Sequence, residues 1–370
     1  MGTDTGLEGV VAASTRLSHV DGERGELIIV GYSLAELAAH ATFEETTWLL
    51  WHGRLPASFE LDAFRAELAE KRALSETTLS LLRDCARAKL DAMDALRMAA
   101  GTISLTADDA VTIAAAIPTI VATFWRYRDG LEPIAPRPDL SHAANYLYML
   151  TGREPAAERT RGLETYLNTV IDHGLNASTF TCRVITSTGS DLVSAIVGAI
   201  GALKGPLHGG APGPALEMVF EIGDASRAEP ILRRKIESGE RLMGFGHRVY
   251  KVRDPRADVL ATAAERLFTR GGDMALYRLA RDVEGVALRL LEEYKPGRRL
   301  QTNVEFYTAL LLHGLGLDVP LFTPTFAIGR VSGWIGHALE QRAANRLIRP
   351  SSAYVGPRDL RWTPLTSRVR

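Results

Sequence analysis

The stretch LMGFGHRVYKVRDPRADVL (residues 242–260) sets His247 directly behind Gly244, Phe245 and Gly246, with Lys251, Arg253 and Arg256 following. A helix start is expected at Asp254-Pro255, proline being suited to the first helical turn. One short loop thus offers an imidazole donor, a guanidinium fork shaped for a carboxylate, and a cationic edge fit for phosphate. A merely solvated basic loop would also carry cations, but it has no reason to flank a histidine with glycines.

A second histidine shares this setting. In LKGPLHGGAPGPALEM (residues 203–218) the break at Gly205-Pro206 precedes His208, so the ring stands on a tight loop whose missing side chains let a ligand approach the backbone. His52, His173 and His313 also precede glycines, but they close helix-like runs, where a ring in the last turn followed by glycine is the plain reading. His173 differs in being followed by a polar run, LNASTFT, that a helix end does not need.

Working outward, the chain of 370 residues is long enough for two domains or one large one. Its formal net charge of -1 provides no global field for nucleic acid or an anionic membrane. The N-terminal segment lacks an apolar signal core, which predicts a cytoplasmic protein. The longest apolar run, residues 192–203, falls short of the ~18 residues that suggest a membrane span and predicts a buried helix. Two cysteines, Cys85 and Cys182, are too few for a disulfide framework or a thiolate metal site and are expected to be core thiols.

After a β-like run at LIIVG (residues 27–31), capping boxes at Ser33/Glu36 and Thr42/Glu45 open helices, the second ended by Gly53 and Pro56. Helical patterns then cover residues 59–73, 76–100, 106–128 with a kink at Pro118, 141–150, 159–173, 191–203, 214–221, 227–240, 256–269, 274–294, 303–313 and 324–344. The expected architecture is nearly all α. Gly/Pro-dense segments at 205–214 and 314–324 are the hinge candidates. There is no Walker loop, no G-x-G-x-x-G after a strand, no H-E-x-x-H and no G-x-S-x-G, which argues against P-loop, zincin and α/β-hydrolase chemistry.

Three more residues stand out by position. Glu305 is the lone carboxylate of QTNVEFYTALLLHGLG (residues 301–316), at the mouth of an apolar run. It is either a solvated helix start or a group held out of water to move a proton. Arg330 lies among Gly329, Gly333, Gly336 and apolar residues of a helix opening near Thr323-Pro324, so if buried it needs an anion, from the protein or from a ligand. Arg349, in LIRP, reads by itself as a loop cation.

Taken together and in this order, DHGLNASTF (172–180), GPLHGGAP (205–212), MGFGHRVYKVRDPRAD (243–258), TNVEFY (302–307) and GRVSGWIGHALEQ (329–341) with LIRP (347–350) resemble the citrate synthases over nearly the whole chain. The likeness is greatest to the short bacterial branch that includes citrate synthases of the second type and 2-methylcitrate synthases. It implies an all-α, two-domain homodimer, with a large domain (1–210 and 317–370) capped by a small mobile one (211–316). It implies that His173, His247, Arg256, Arg330 and Arg349 bind oxaloacetate, Arg349 reaching in from the other chain. The coenzyme A site would use the backbone at Gly244, Phe245 and Gly246, with Lys251 on a phosphate. His208 and Glu305 would enolise the acyl thioester and His247 would polarise the keto group. No metal and no cofactor is implied, the coenzyme A thioester being a substrate.

Two departures from the family pattern are visible. Glu305 stands where the family usually has Asp, as some members of this branch also do, and DHG replaces the usual D-H-E beside His173. The leading expectation is condensation of acetyl-CoA with oxaloacetate and water to citrate and CoA, a tricarboxylic acid cycle activity. Propionyl-CoA is the alternative, since one methylene is worth only ~1–3 kcal/mol of discrimination. A non-catalytic paralogue that binds CoA or a dicarboxylate is a reading of a different class, suggested by Glu305 and opposed by the presence of both His208 and His247.

Overall fold

The computed structural model describes residues 6–368 apart from Glu8, 106–108, Gly210, Ala211, Arg248 and Gly272. The chain begins with an antiparallel sheet of three short strands in sequence order, β1 (Ser18–Asp21), β2 (Glu26–Ile29) and β3 (Tyr32–Ser33). Ser18 pairs with Ile29, and Ile28 with Ser33. The α-helices follow: α1 (Leu34–His40), α2 (Phe43–His52), α3 (Ser58–Glu70), α4 (Glu76–Arg87), α5 (Ala92–Ala100), α6 (Ala110–Arg128), α7 (His142–Thr151) and α8 (Ala157–Val170). Then come α9 (Ala177–Ser187), α10 (Leu192–Leu203), α11 (Pro212–Ile222), α12 (Ala228–Glu237), α13 (Pro255–Thr269), α14 (Met274–Tyr294), α15 (Val304–Gly314) and α16 (Phe322–Ala343).

Local chemistry accounts for most boundaries. The Thr42/Glu45 box forms in both directions, Glu45 N–H donating to Thr42 Oγ1 and Thr42 N–H to Glu45 Oε2 at 2.8 Å. Gly53 closes α2 with φ of 75°, a left-handed conformation costly for other residues. At the other predicted box only half is made. Ser33 Oγ accepts from Glu36 N–H, while the Glu36 carboxylate turns toward His40 at 3.8 Å.

Three expectations are corrected. The pattern at 76–100 is two helices, because Lys89 takes φ of 55° and Asp91 caps a new start through Met93 N–H at 2.8 Å. The expected helix at 106–128 begins at Ala110 behind its Asp109 cap and runs on through Pro118, residues 106–108 lying outside those described. α9 was not expected at all. It buries Ser178, Thr179, Cys182, Arg183 and Thr186, so it has no apolar stripe for periodicity to detect.

Two long buried helices organise the packing: α6 lies against α4, α5, α7 and α16, while α16 also meets α2, α8, α9 and α10. α10 is a buried helix, as expected, and both cysteines are buried free thiols. α16 meets α8 backbone to backbone. A Cβ on Gly333 would lie 2.1 Å from Ile171 O, and one on Gly329 would lie 2.8 Å from Val170 Cγ2, so neither position accepts a side chain without movement. Further along, α11 and α13 pack on α15, α12 on α14, and α13 faces α8 and α1.

Candidate active site

Helix ends and loops distant in sequence meet where α8 stops. Val170 O, the last carbonyl of α8, accepts the Arg330 Nε–H at 2.6 Å, which fixes this guanidinium beside the 171–174 turn. The turn is tied down from below. Ser18 Oγ donates to Asp172 and accepts from Gly174 N–H at 2.9 Å, and Asp172 faces His337 Nε2 at 3.2 Å. His173 is thereby presented forward, its Nε2 3.2 Å from the Tyr250 hydroxyl. α8 ends before His173, so the ring belongs to the turn and not to a last helical turn.

His208 stands on the predicted tight loop. His208 N–H donates to Gly205 O at 2.9 Å, and Gly209 must be glycine, since a Cβ there would lie 2.3 Å from Leu203 O. Its Nε2 is 2.8 Å from Ser178 Oγ, which also accepts the Trp334 indole N–H at 3.1 Å. The one proton of the Ser178 hydroxyl has two acceptors within reach, His208 Nε2 and Asn176 Oδ1 at 2.8 Å. When it goes to His208, the ring keeps its own proton on Nδ1 as a neutral donor.

His247 and Glu305 are held by one seam. Gly244 and Gly246 have φ of 89° and 83°, and a Cβ on Gly244 would press on Phe306 at 2.9 Å. Phe245 pairs with Thr302 in an isolated bridge, Gly246 N–H donates to Gln301 O at 2.7 Å, and Asn303 Nδ2 donates to Gly246 O at 2.8 Å. Asn303 then caps α15 by accepting Glu305 N–H at 3.0 Å. The glycine loop before His247 and the helix start that carries Glu305 therefore move as a unit. Asp254, fully buried, adds a third element. It accepts Arg256 Nε–H at 3.0 Å and Nη2–H at 2.8 Å as well as Val304 N–H at 3.2 Å.

The His247 tautomer follows from its neighbours. Nδ1 accepts the Val249 and Tyr250 amides at 3.1 and 3.0 Å, so the proton of the neutral ring sits on Nε2. Arg256 Nη2 lies 3.2 Å from that nitrogen. Two donors thus converge on a place that suits an oxygen.

Burial sets the protonation of the cluster. It draws His208 and His247 down to about 4, assisted by Arg330 for the first and by Arg256 for the second, so both rings are neutral at pH 7. His173 is held well below its usual value by burial, Arg256 and Arg330. Burial lifts Glu305 to about 7, with Arg256 and Arg330 pulling the other way. Arg330 is buried, drawn down to about 10 by burial and still a cation at neutral pH, with no carboxylate in ion-pair contact among the described residues.

The structure thus brings together His173, His208, His247, Arg256, Glu305 and Arg330. Lys251 is exposed on the loop that follows His247, its backbone N–H bound to Gly22 O at 2.9 Å. Arg253 is an internal strut, ion-paired to Asp258 and to the buried Glu284. Arg349 is not part of the cluster. It is exposed, and the neighbouring Ile348 N–H donates to Ser187 Oγ, nine residues or about 14 Å along α9 from Ser178. Sequence reading singled out neither Ser178 nor Tyr250 nor Trp334. Ser178 sits in the quoted polar run after His173, which was the one available signal.

Comparison with known proteins decides the family. The model of the citrate synthase C-terminal domain matches residues 6–351. The chain belongs to the citrate synthase family. It is 41% identical to citrate synthase 2 of Bacillus subtilis, covering 98% of this chain and 99% of that one, and 40% identical to 2-methylcitrate synthase of Mycobacterium tuberculosis, covering 95% and 90%. Among solved structures, the ternary complex of the Thermoplasma acidophilum citrate synthase with carboxymethyl coenzyme A and oxaloacetate aligns with a TM-score of 0.90 at 30% identity, covering 99% of this chain and all of that one. The all-α fold and the enzyme class expected from the sequence stand. Within the citrate synthase family this chain keeps both loop histidines and carries Glu at 305.

Proposed function

We propose that the enzyme condenses acetyl-CoA with oxaloacetate and hydrolyses the resulting thioester to citrate and CoA, acting in the cytoplasm as a homodimer. The observation that carries this is the meeting of one poised carboxylate, Glu305, with two neutral histidine donors and two buried guanidiniums. Removing a proton from the methyl of a thioester is very hard for a carboxylate unless the developing enolate oxygen receives a hydrogen bond. Glu305 takes that proton while the His208 N–H meets the thioester oxygen. The enolate carbon then attacks the keto carbon of oxaloacetate, whose oxygen gains negative charge against His247 Nε2–H. Arg256 and Arg330 hold the carboxylates that would otherwise repel an incoming enolate.

In this reading residues 1–210 and 317–370 form the large domain, and residues 211–316 a small one that closes over the substrates and excludes water until the carbon bond exists. The backbone at Gly244, Phe245 and Gly246 with Lys251 receives coenzyme A, and Arg349 serves the partner subunit's site. Its exposure away from its own chain's cluster supports that role. All acid–base groups are side chains, so the scheme asks for no metal or cofactor. The deciding experiment is Glu305→Gln. It should bind oxaloacetate and CoA yet stop both citrate formation and deuterium exchange into the acyl methyl. Exchange at the wild-type rate would sink the assignment. Likeness to 2-methylcitrate synthase keeps propionyl-CoA as a second substrate, settled by comparing kcat/KM for the two thioesters.

A further inference from the structure

A cavity lies away from the catalytic cluster, in the seam where α8 and α13 face each other beside α1. Its volume is about 760 Å³, within the ~300–1,000 Å³ range of small-molecule pockets and far above ordinary packing voids. Small side chains create it. Ala35, Ala38 and Ala39 on α1, Gly162 on α8 and Ala263 on α13 line three walls with almost no bulk.

The charges on its lining pair off, with one remainder. Arg270 bridges to Glu158 at 2.5 Å, and Asp258 is taken by Arg253. Arg161 is spent on Ala41 O and Ala38 O at 2.8 and 2.5 Å, with Glu164 at 3.4 Å. Arg266 alone makes no hydrogen bond or ion pair with a described residue, and it is exposed on the cavity wall. The first turn of α8, Ala157 and Glu158, lines the same space, and its N-cap Ala156 has no side chain to cap it. Apolar walls and one unpaired cation beside an uncapped helix start define a receptor for an organic anion with an apolar body.

The position of the cavity gives it a consequence. α8 and α13 run antiparallel. Glu158 and Arg270 join their far ends, while at their near ends Val170 O holds Arg330 and Arg256 holds Asp254. Arg266 is ten residues, or about 15 Å, along α13 from Arg256. A body lodged between the two helices contacts α13, which carries Arg256, and α8, whose last carbonyl holds Arg330, so its binding is linked to any change in their spacing.

We infer that this seam is a regulatory site for a small organic monoanion with an apolar body, linked to substrate binding through α13. The link rests on the proposed function; the existence of the site does not. The probe is 8-anilinonaphthalene-1-sulfonate, whose fluorescence rises on burial. The wild-type protein should bind one probe per chain. Ala39→Trp and Thr262→Trp, which fill the cavity from exposed wall positions, should each weaken binding more than tenfold, and Arg266→Glu severalfold, all with unchanged citrate synthesis in the absence of probe. Saturating oxaloacetate should shift the probe Kd at least threefold, and saturating probe should shift the oxaloacetate Kd by the same factor. Absence of enhancement, or enhancement that survives both Trp variants, overturns the site. An identical probe Kd in protein shown by calorimetry to be loaded with oxaloacetate overturns the regulatory role.

Discussion

Nη2 of Arg256 stands 3.2 Å from Nε2 of His247, and both nitrogens are donors, because two backbone amides already occupy the ring's other nitrogen. The pair has nothing to give each other and is complete only with an acceptor oxygen between them. Arg256→Lys keeps the charge but loses the planar fork that grips Asp254 and faces His247 together. The oxaloacetate KM should rise about 10- to 100-fold, the worth of a charge-assisted hydrogen bond of ~1.5–3 kcal/mol. Wild-type affinity in calorimetry would take Arg256 out of the substrate site.

Glu305 predicts a pH profile. With its carboxyl lifted to about 7, kcat/KM should fall as pH drops through that value, while the two loop histidines, at about 4, stay neutral throughout. Stability runs the opposite way. Between the ordinary carboxyl value of 4.5 and about 7 the folded chain holds a proton that the unfolded chain has lost, so stability declines as pH rises across this window. Glu305→Gln should therefore match wild type in Tm at pH 4 and exceed it at pH 8. Equal melts at both would mean that the carboxylate is well solvated.

The same position tests the extra methylene. It moves the carboxylate by roughly 1 Å, a shift that can cost a hundredfold where the surroundings have not adjusted. Here the Asn303 cap and the Gly246 contact fix the helix start around glutamate. Glu305→Asp should accordingly lose about 10- to 100-fold in kcat, and steady-state rates at saturating substrates read this directly.

Ser178 should govern the tautomer of His208. Ser178→Ala removes the hydroxyl that can hand a proton to Nε2 and leaves the Trp334 N–H without an acceptor. We expect kcat to drop about 10- to 100-fold, in the range of a mispositioned general-acid or oxyanion donor. Oxaloacetate affinity should hold, because Ser178 lies on the His208 side of the cluster. A loss confined to KM would contradict this.

Arg349 invites a complementation test. Arg349→Ala and His247→Ala chains, each inactive alone, should regain up to about a quarter of wild-type activity when mixed and refolded, since a mixed dimer would retain one intact site of two. No recovery in verified heterodimers would place Arg349 outside the partner's site.

Much of this was open to reading because the chemistry sits on loops whose glycines have no other purpose. Gly209, Gly244 and Gly246 are each required by a close approach or a left-handed backbone, and each lies within three residues of a loop histidine. Glu305 was conspicuous as a single carboxylate ahead of an apolar helix. What stayed hidden depends on contacts distant in sequence. Ser178 matters because Trp334, 156 residues on, points at it, and Tyr250 because His173 lies across the cleft. α9 was missed for a related reason. Its inner face is polar and is satisfied by α16, with Arg183 bonded to Gln341 and Glu340, so the pattern that marks a helix is absent from the segment itself.

Arg330 carries a practical lesson for anyone handling the protein. A buried cation at the end of α8, with no carboxylate in ion-pair contact among the described residues, makes the resting molecule a scavenger of small dianions. Sulfate, phosphate, malonate or tartrate carried over from purification would lodge there. At a hundred times its Kd such an ion would add about 2.7 kcal/mol of apparent stability. Melting curves recorded in chloride and in phosphate would then describe two differently loaded proteins, and an inhibition constant measured in one buffer would not transfer to the other.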